Sequence, residues 1–160
     1  LTEYTILLAQ AKQQIKDFEG AAAAYRQAIA NNPADLQALA GMTQLLIAQN
    51  RPEGAISLLQ DTLKGAGAQN KNDTESIDVT SVQLLMGQVY AKLKRYGEAI
   101  SVYDSLVAKD SKDFRPVLSK ALIFQEQGKN SEAKSLFKSA FSLAPSIYKD
   151  QIKQAIDRLK

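Results

Sequence analysis

Lys16–Pro33 reads KDFEGAAAAYRQAIANNP, and its pattern returns three times. A copy lies 34 residues on at Arg51–Leu63 (RPEGAISLLQDTL), another 44 beyond that at Arg95–Val107 (RYGEAISVYDSLV), and a fourth after a further 34 at Asn130–Phe141 (NSEAKSLFKSAF). Each carries alanine in one register, at Ala21, Ala55, Ala99 and Ala133. Each then carries a large apolar residue four places later, at Tyr25, Leu59, Tyr103 and Phe137. Self-similarity at this period predicts an array of helix pairs.

Working outward, Thr2–Ile15 has Ile6, Leu7, Leu8 and Ala11 near helical spacing. Asp17 stands where a second helix needs a cap, and Asn31-Asn32-Pro33 ends that helix. The next pair opens at Leu36. Asn50-Arg51-Pro52-Glu53 reads as the start of its second helix, with Asn50 as cap, and that helix is expected to end near Gly65. Gly65–Asp73 (GAGAQNKND) reads as a flexible insertion. Asn72 with Glu75 reads as a capping box opening a long helix over about 73–93. Lys94–Tyr96 turns into Gly97–Lys109. The fourth pair begins near Asp113, holds Pro116 in its first turn, turns at Gln127–Lys129 and ends at Pro145. Ile147–Lys160 carries Tyr148, Ile152, Ala155, Ile156 and Leu159 on one stripe, which predicts an amphipathic closing helix.

Composition narrows the function classes. The 160 residues include no Cys and no His, so thiol or imidazole catalysis, disulfides and the usual zinc sites are excluded. No apolar run reaches the roughly 18–20 residues that span a bilayer. The net charge of +3 divides unevenly, −3 over residues 1–80 and +6 over 81–160; solvated helix faces account for such a split as readily as an acidic partner does. Asp73, Glu75 and Asp78 lack the glycine and distal glutamate of a calcium loop and read as acids near a helix N-terminus. Gly65-Ala-Gly67 is half of a dinucleotide fingerprint and follows a helix rather than a strand. Asn72-Asp73-Thr74 is a glycosylation sequon of a frequent kind. No enzyme, cofactor or metal is expected.

The register resembles the tetratricopeptide repeat (TPR). That family asks for a small residue at the close helix crossing, an aromatic one turn later, then alanine, an aromatic, another alanine and a terminal proline. The first repeat supplies Leu8, Ala9, Ala21, Tyr25, Ala28 and Pro33; the third Met86, Gly87, Tyr90, Ala99 and Tyr103; the fourth Ala121, Phe124, Ala133, Phe137, Ala140 and Pro145. It departs at Lys12, Lys120, Thr62, Gly67, Leu106 and Ser111. The resemblance covers residues 2–147. It implies an all-α, right-handed superhelical solenoid forming a single domain over 1–160. Its four repeats fall at about 2–35, 36–69, 80–113 and 114–147, with an insertion at 66–79 and a capping helix at 147–160. Pentatricopeptide repeats have similar length and read RNA, but the alanine and aromatic register here resembles TPR better, and no nucleic-acid partner is expected. The long connection between repeats two and three, with KDSKDFRP at Lys109–Pro116, resembles TPR proteins of chloroplasts and cyanobacteria that act in thylakoid or photosystem biogenesis.

A TPR array resembles a superhelix whose concave wall is made by the first helix of each pair. In that register one row of the wall holds Ile6, Ala40, Leu84 and Leu118. The next holds Gln10, Gln44, Gln88 and Leu122, and a third holds Gln13, Ile47, Ala91 and Gln125, with Arg115 at an edge. Glutamine amides both donate and accept, so such a wall suits the backbone of an extended client peptide, with the apolar row taking its side chains. Solvent-facing glutamine as a plain helix former is the other reading. The positions of the family's cationic clamp for chaperone tails hold Ile6, Gln10, Gly41, Ser81 and Leu85, or one repeat on Ala40, Gln44, Leu85, Arg115 and Ser119. One cation does not hold a carboxylate as that clamp does. The expected role is therefore a protein-binding scaffold or assembly factor, in the cytoplasm or on the stromal side of an organelle. It would not insert into a membrane within these residues, and any tether would lie outside them. The alternative role is a structural module that stacks on further repeats or on a second copy, its open end being Ile6, Leu7 and Leu8. The chain starts at Leu1 rather than Met, and a longer parent protein is expected.

Overall fold

A computed structural model describes residues 2–68 and 76–159. Among them are nine α-helices and no strand: α1 (Thr2–Gln14), α2 (Phe18–Asn31), α3 (Leu36–Ala48), α4 (Pro52–Ala68), α5 (Val79–Lys92), α6 (Tyr96–Lys109), α7 (Phe114–Glu126), α8 (Asn130–Leu143) and α9 (Ser146–Arg158). They gather into two compact units, Leu1–Leu85 and Met86–Lys160, with the first half of α5 in one and the second half in the other. In the N-terminal unit α1 packs on α2, α2 on α3 and α3 on α4; in the C-terminal unit α6 packs on α7, α7 on α8 and α8 on α9.

The alanine and large-residue registers are core in every repeat. Ala21, Ala55, Ala99 and Ala133 are all buried, as are Tyr25, Leu59, Tyr103 and Phe137. Small side chains at the crossings let two helices approach, and the large ones fill the space left between them. Gly87 shows how tight this is. A Cβ there would come 2.5 Å from Cε1 of the Tyr103 ring, and Gly41 stands against Tyr25 in the same way.

The turn within each pair is also periodic. Lys16, Asn50, Lys94 and Gly128 all have φ between 59° and 75°. The next residue's N–H donates back to the helix before it: Asp17 to the Lys12 carbonyl, Arg51 to Leu46 and Arg95 to Tyr90, each at 2.8 Å, and Lys129 to Phe124 at 2.9 Å. Lys16, Asn50, Lys94 and Gly128 themselves donate to Gln13, Ile47, Ala91 and Gln125. This pair of bonds is the Schellman motif, which satisfies the last carbonyls of a helix. Asn50 is therefore a left-handed turn residue that closes α3, not the cap of α4, whose first residue is Pro52.

Two further boundaries differ from the sequence reading. Helix α4 runs on to Ala68, since glycine in a helix costs only about 1 kcal/mol and no proline intervenes. Helix α5 begins at Val79, because Asp78 caps it: its carboxylate accepts from the Ser81 N–H at 3.1 Å and the Ser81 hydroxyl at 2.6 Å. The capping box and sequon at 72–75, and the remainder of the insertion, lie outside the described residues. Asp17 caps α2 as expected, and Asp35 and Asp113 cap α3 and α7. Asp17 accepts from the Gly20 N–H, Asp35 from Ala38 and Asp113 from Arg115, each at 3.0 Å.

The lysines that depart from the family pattern find carboxylates. Lys12 reaches Asp17 at 3.2 Å, and Lys120 reaches Asp104 at 2.6 Å. Helix α9 and its C-cap lay Ile152 and Leu159 on a core of Val117, Ala121, Ala133, Phe137, Ala140 and Ala144. Tyr148 meets Phe114 at 5.2 Å between ring centroids.

Candidate peptide-binding face

The candidate residues lie on α1, α3, α5 and α7, the first helices of their pairs. In the N-terminal unit Gln44 is exposed, while Gln10, Gln13, Ala40 and Ile47 are half-buried. Ile6 and Leu84 are both buried. Their places in the expected wall are thus packing positions, because both side chains point inward from their helices. Gln13 is partly engaged already: its Oε1 accepts from the Tyr25 hydroxyl at 3.4 Å.

In the C-terminal unit Gln88, Ala91 and Leu122 come together around a cavity of about 170 Å³, completed by Tyr103, Ser119, Ile123 and Glu126. Leu122 is 52% exposed, a large apolar side chain left open beside amide and hydroxyl groups. Leu118 and Gln125 are half-buried nearby on the same helix. Arg115 is exposed, but its guanidinium is taken by Asp113, with Nη2 at 2.7 Å from Oδ2. That contact, together with the backbone N–H of Arg115, holds the Asp113 carboxyl below its usual range.

The tyrosines were not legible as part of this face. Tyr25 and Tyr103 are buried by their rings, and burial pushes both phenols up. Their hydroxyls nevertheless reach Gln13 and Ser119 on the first-helix side. The signal was available: repeats two and four hold Leu59 and Phe137 in that register, which carry no hydroxyl. Burial, and after it the Glu126 carboxylate, raises the Tyr96 phenol. The assembled chemistry is a face of amides, hydroxyls and one open leucine with the Glu126 carboxylate at its rim, suited to peptide backbone and apolar side chains.

Sequence comparison agrees with the repeat fold. Tetratricopeptide repeat profiles match residues 8–73 and 81–113, together more than half of the chain. The chain belongs to the tetratricopeptide repeat family. Among solved TPR structures, a thermophilic TPR protein of Thermus thermophilus superposes with a TM-score of 0.63 at 15% identity, covering 99% of this chain and 81% of that one. MamA from Desulfovibrio magneticus gives 0.60 at 16% identity, covering 97% and 81%. At such identities the likeness is one of fold, an all-α TPR solenoid. In sequence the chain is similar to the protein SLOW GREEN 1, chloroplastic, of Arabidopsis thaliana, 32% identical over 71 residues. That match takes in 44% of this chain and 22% of the relative's length. TPR repeats generally mediate protein–protein interaction. Among the described residues no helix is long and apolar enough to cross a membrane.

Proposed function

We propose that this TPR chain is a scaffold that holds an extended segment of a client protein on the first helices of its pairs. The observation that carries the reading is the cavity in the C-terminal unit. There the exposed Gln88 amide can bond a peptide backbone while Leu122 and Ala91 receive a side chain. Gln10 and Gln44 present the same amide chemistry on the N-terminal unit. The similarity to a chloroplast protein supports a client in photosynthetic membrane biogenesis.

The test is affinity capture from a chloroplast or cyanobacterial extract, comparing wild type with a variant carrying Gln10, Gln44 and Gln88 as alanine and Leu122 as lysine. A partner lost by the still-helical variant is expected. Equal capture by both proteins overturns the assignment of the face.

A second reading, self-association, is favoured by a specific register. Ala38, Met42 and Leu45 on α3 are buried, as are Val82, Met86 and Val89 on α5. The equivalent positions of α1 are Tyr4, Leu8 and Ala11, and all three are exposed. A helix pair from a second copy would cover them. Sedimentation equilibrium should then show a concentration-dependent mass that Leu8→Glu abolishes; a constant monomer mass removes this reading.

A further inference from the structure

In the N-terminal unit a cavity of about 450 Å³ opens between α2, α3 and α4. It is floored by the buried side chains of Met42 and Leu46, passes Gly54, and has Arg26, Arg51 and Asp61 exposed at its mouth. None of these residues belongs to the candidate face described above.

The C-terminal unit contains the same place in filled form. Seventy-eight residues on from Arg26, Met42, Leu46, Arg51 and Gly54 stand Asp104, Lys120, Phe124, Lys129 and Glu132. There the mouth is bridged by the Lys120–Asp104 ion pair at 2.6 Å. The Phe124 ring stands where the N-terminal unit has Leu46, and Lys129 Nζ lies 5.4 Å from its centroid. The third repeat uses the same pairing, with the Arg95 guanidinium 5.0 Å from the Tyr90 ring. In the first repeat the two positions hold Lys12 and Asp17, paired with each other. The second repeat alone has the cation, Arg51, with no ring or carboxylate facing it at the partner position, where Leu46 stands. Among the described residues, neither Arg51 nor Arg26 makes an ion pair.

We infer that this cavity is a second binding site, taking an aromatic side chain of a partner peptide that carries a carboxylate beside it. The ring would occupy the space that Phe124 fills in the C-terminal unit, under Arg51, whose guanidinium is attracted to a ring face. The neighbouring carboxylate would meet Arg26, a planar fork matched to it. Charge favours this occupant. The N-terminal unit is acidic, yet Arg26 and Arg51, the only arginines in residues 1–85, both stand at this mouth against the single Asp61.

The experiment is fluorescence anisotropy with a short labelled acidic peptide holding one central phenylalanine, and with its alanine counterpart. Wild type should bind the phenylalanine peptide at least tenfold more tightly than the alanine one. Leu46→Phe, which supplies the missing ring from within, should weaken binding at least tenfold with helicity kept and melting temperature unchanged or raised. Arg26→Ala and Arg51→Ala should each weaken it severalfold. Gly54→Glu, which places at the mouth the residue of the filled site, serves as a second blocking variant should Leu46→Phe fold poorly. The triple alanine variant of Gln10, Gln44 and Gln88 should bind the peptide as wild type does, which separates this site from the proposed client face. Equal binding of the two peptides, or undiminished binding by a folded blocking variant, overturns the inference. So does a wild-type dimer abolished by Leu46→Phe, since the occupant would then be a second copy.

Discussion

Thr43 occupies the small-residue position that Ala9, Gly87 and Ala121 hold in the other repeats, and its buried hydroxyl has no hydrogen-bond partner. A buried polar group left unbonded costs free energy that a methyl does not. Thr43→Ala should therefore stabilise the protein by about 1 kcal/mol, read as a higher midpoint in urea unfolding. Gly87→Ala should act in the opposite sense, because its Cβ would press on the Tyr103 ring rather than on a flexible chain end. A loss of roughly 2–3 kcal/mol is expected, and Tyr103→Leu in the same molecule should recover part of it. Lys94, held at φ 59°, pays for a left-handed turn that glycine adopts freely. Lys94→Gly should stabilise the protein by about 0.5–1 kcal/mol, read as a higher midpoint; a lower midpoint would show that the lysine side chain contributes more than its backbone costs.

At the scale of the helix, the caps set the response to acid. The Gly20 N–H, and then Lys12, hold the Asp17 carboxyl below its ordinary value of 3.8. Arg115 does the same for Asp113. A carboxyl whose folded-state pKa is depressed stabilises fully above its unfolded value, and that contribution fades as pH falls through the folded value. Wild type should thus melt higher than Asp17→Asn or Asp113→Asn at pH 7, and the difference should shrink below about pH 4 and vanish near pH 2. A difference that persists at pH 2 would mean the caps act through geometry alone. Helix α9 offers a packing counterpart. Ile152 is its buried anchor on the Phe137 core, so Ile152→Ala should cost about 2–4 kcal/mol, whereas substitution of exposed Ile147 on the same helix should cost little.

For the whole molecule, the uneven charge distribution and the mostly uncharged client face lead to distinct salt responses. The face is built of amides, hydroxyls and apolar groups, so client binding there should change less than about threefold between low and physiological salt. Steep salt dependence of the client would instead point to the lysines outside that face. The periodic features explain how much could be read without coordinates. The alanine and aromatic registers, the pair boundaries at Asp17, Asp113 and Gln127–Lys129, and the closing helix were legible because each follows from side-chain size and spacing along one helix. The start of α5 at Val79 and the role of Asn50 were not, since several residues there could cap or turn and only local hydrogen-bond geometry selects among them. Of the candidate face, the positions of Gln88, Ala91 and Leu122 followed from the register. The inward burial of Ile6 and Leu84, the tyrosine hydroxyls and the open cavity under Arg51 did not. The chain by itself determined the repeat, the helix pairs and the family, because those rest on periodicity. Only the tertiary structure decided which equivalent positions are filled and which stand open, because that depends on the side chains that neighbouring helices bring to the same space.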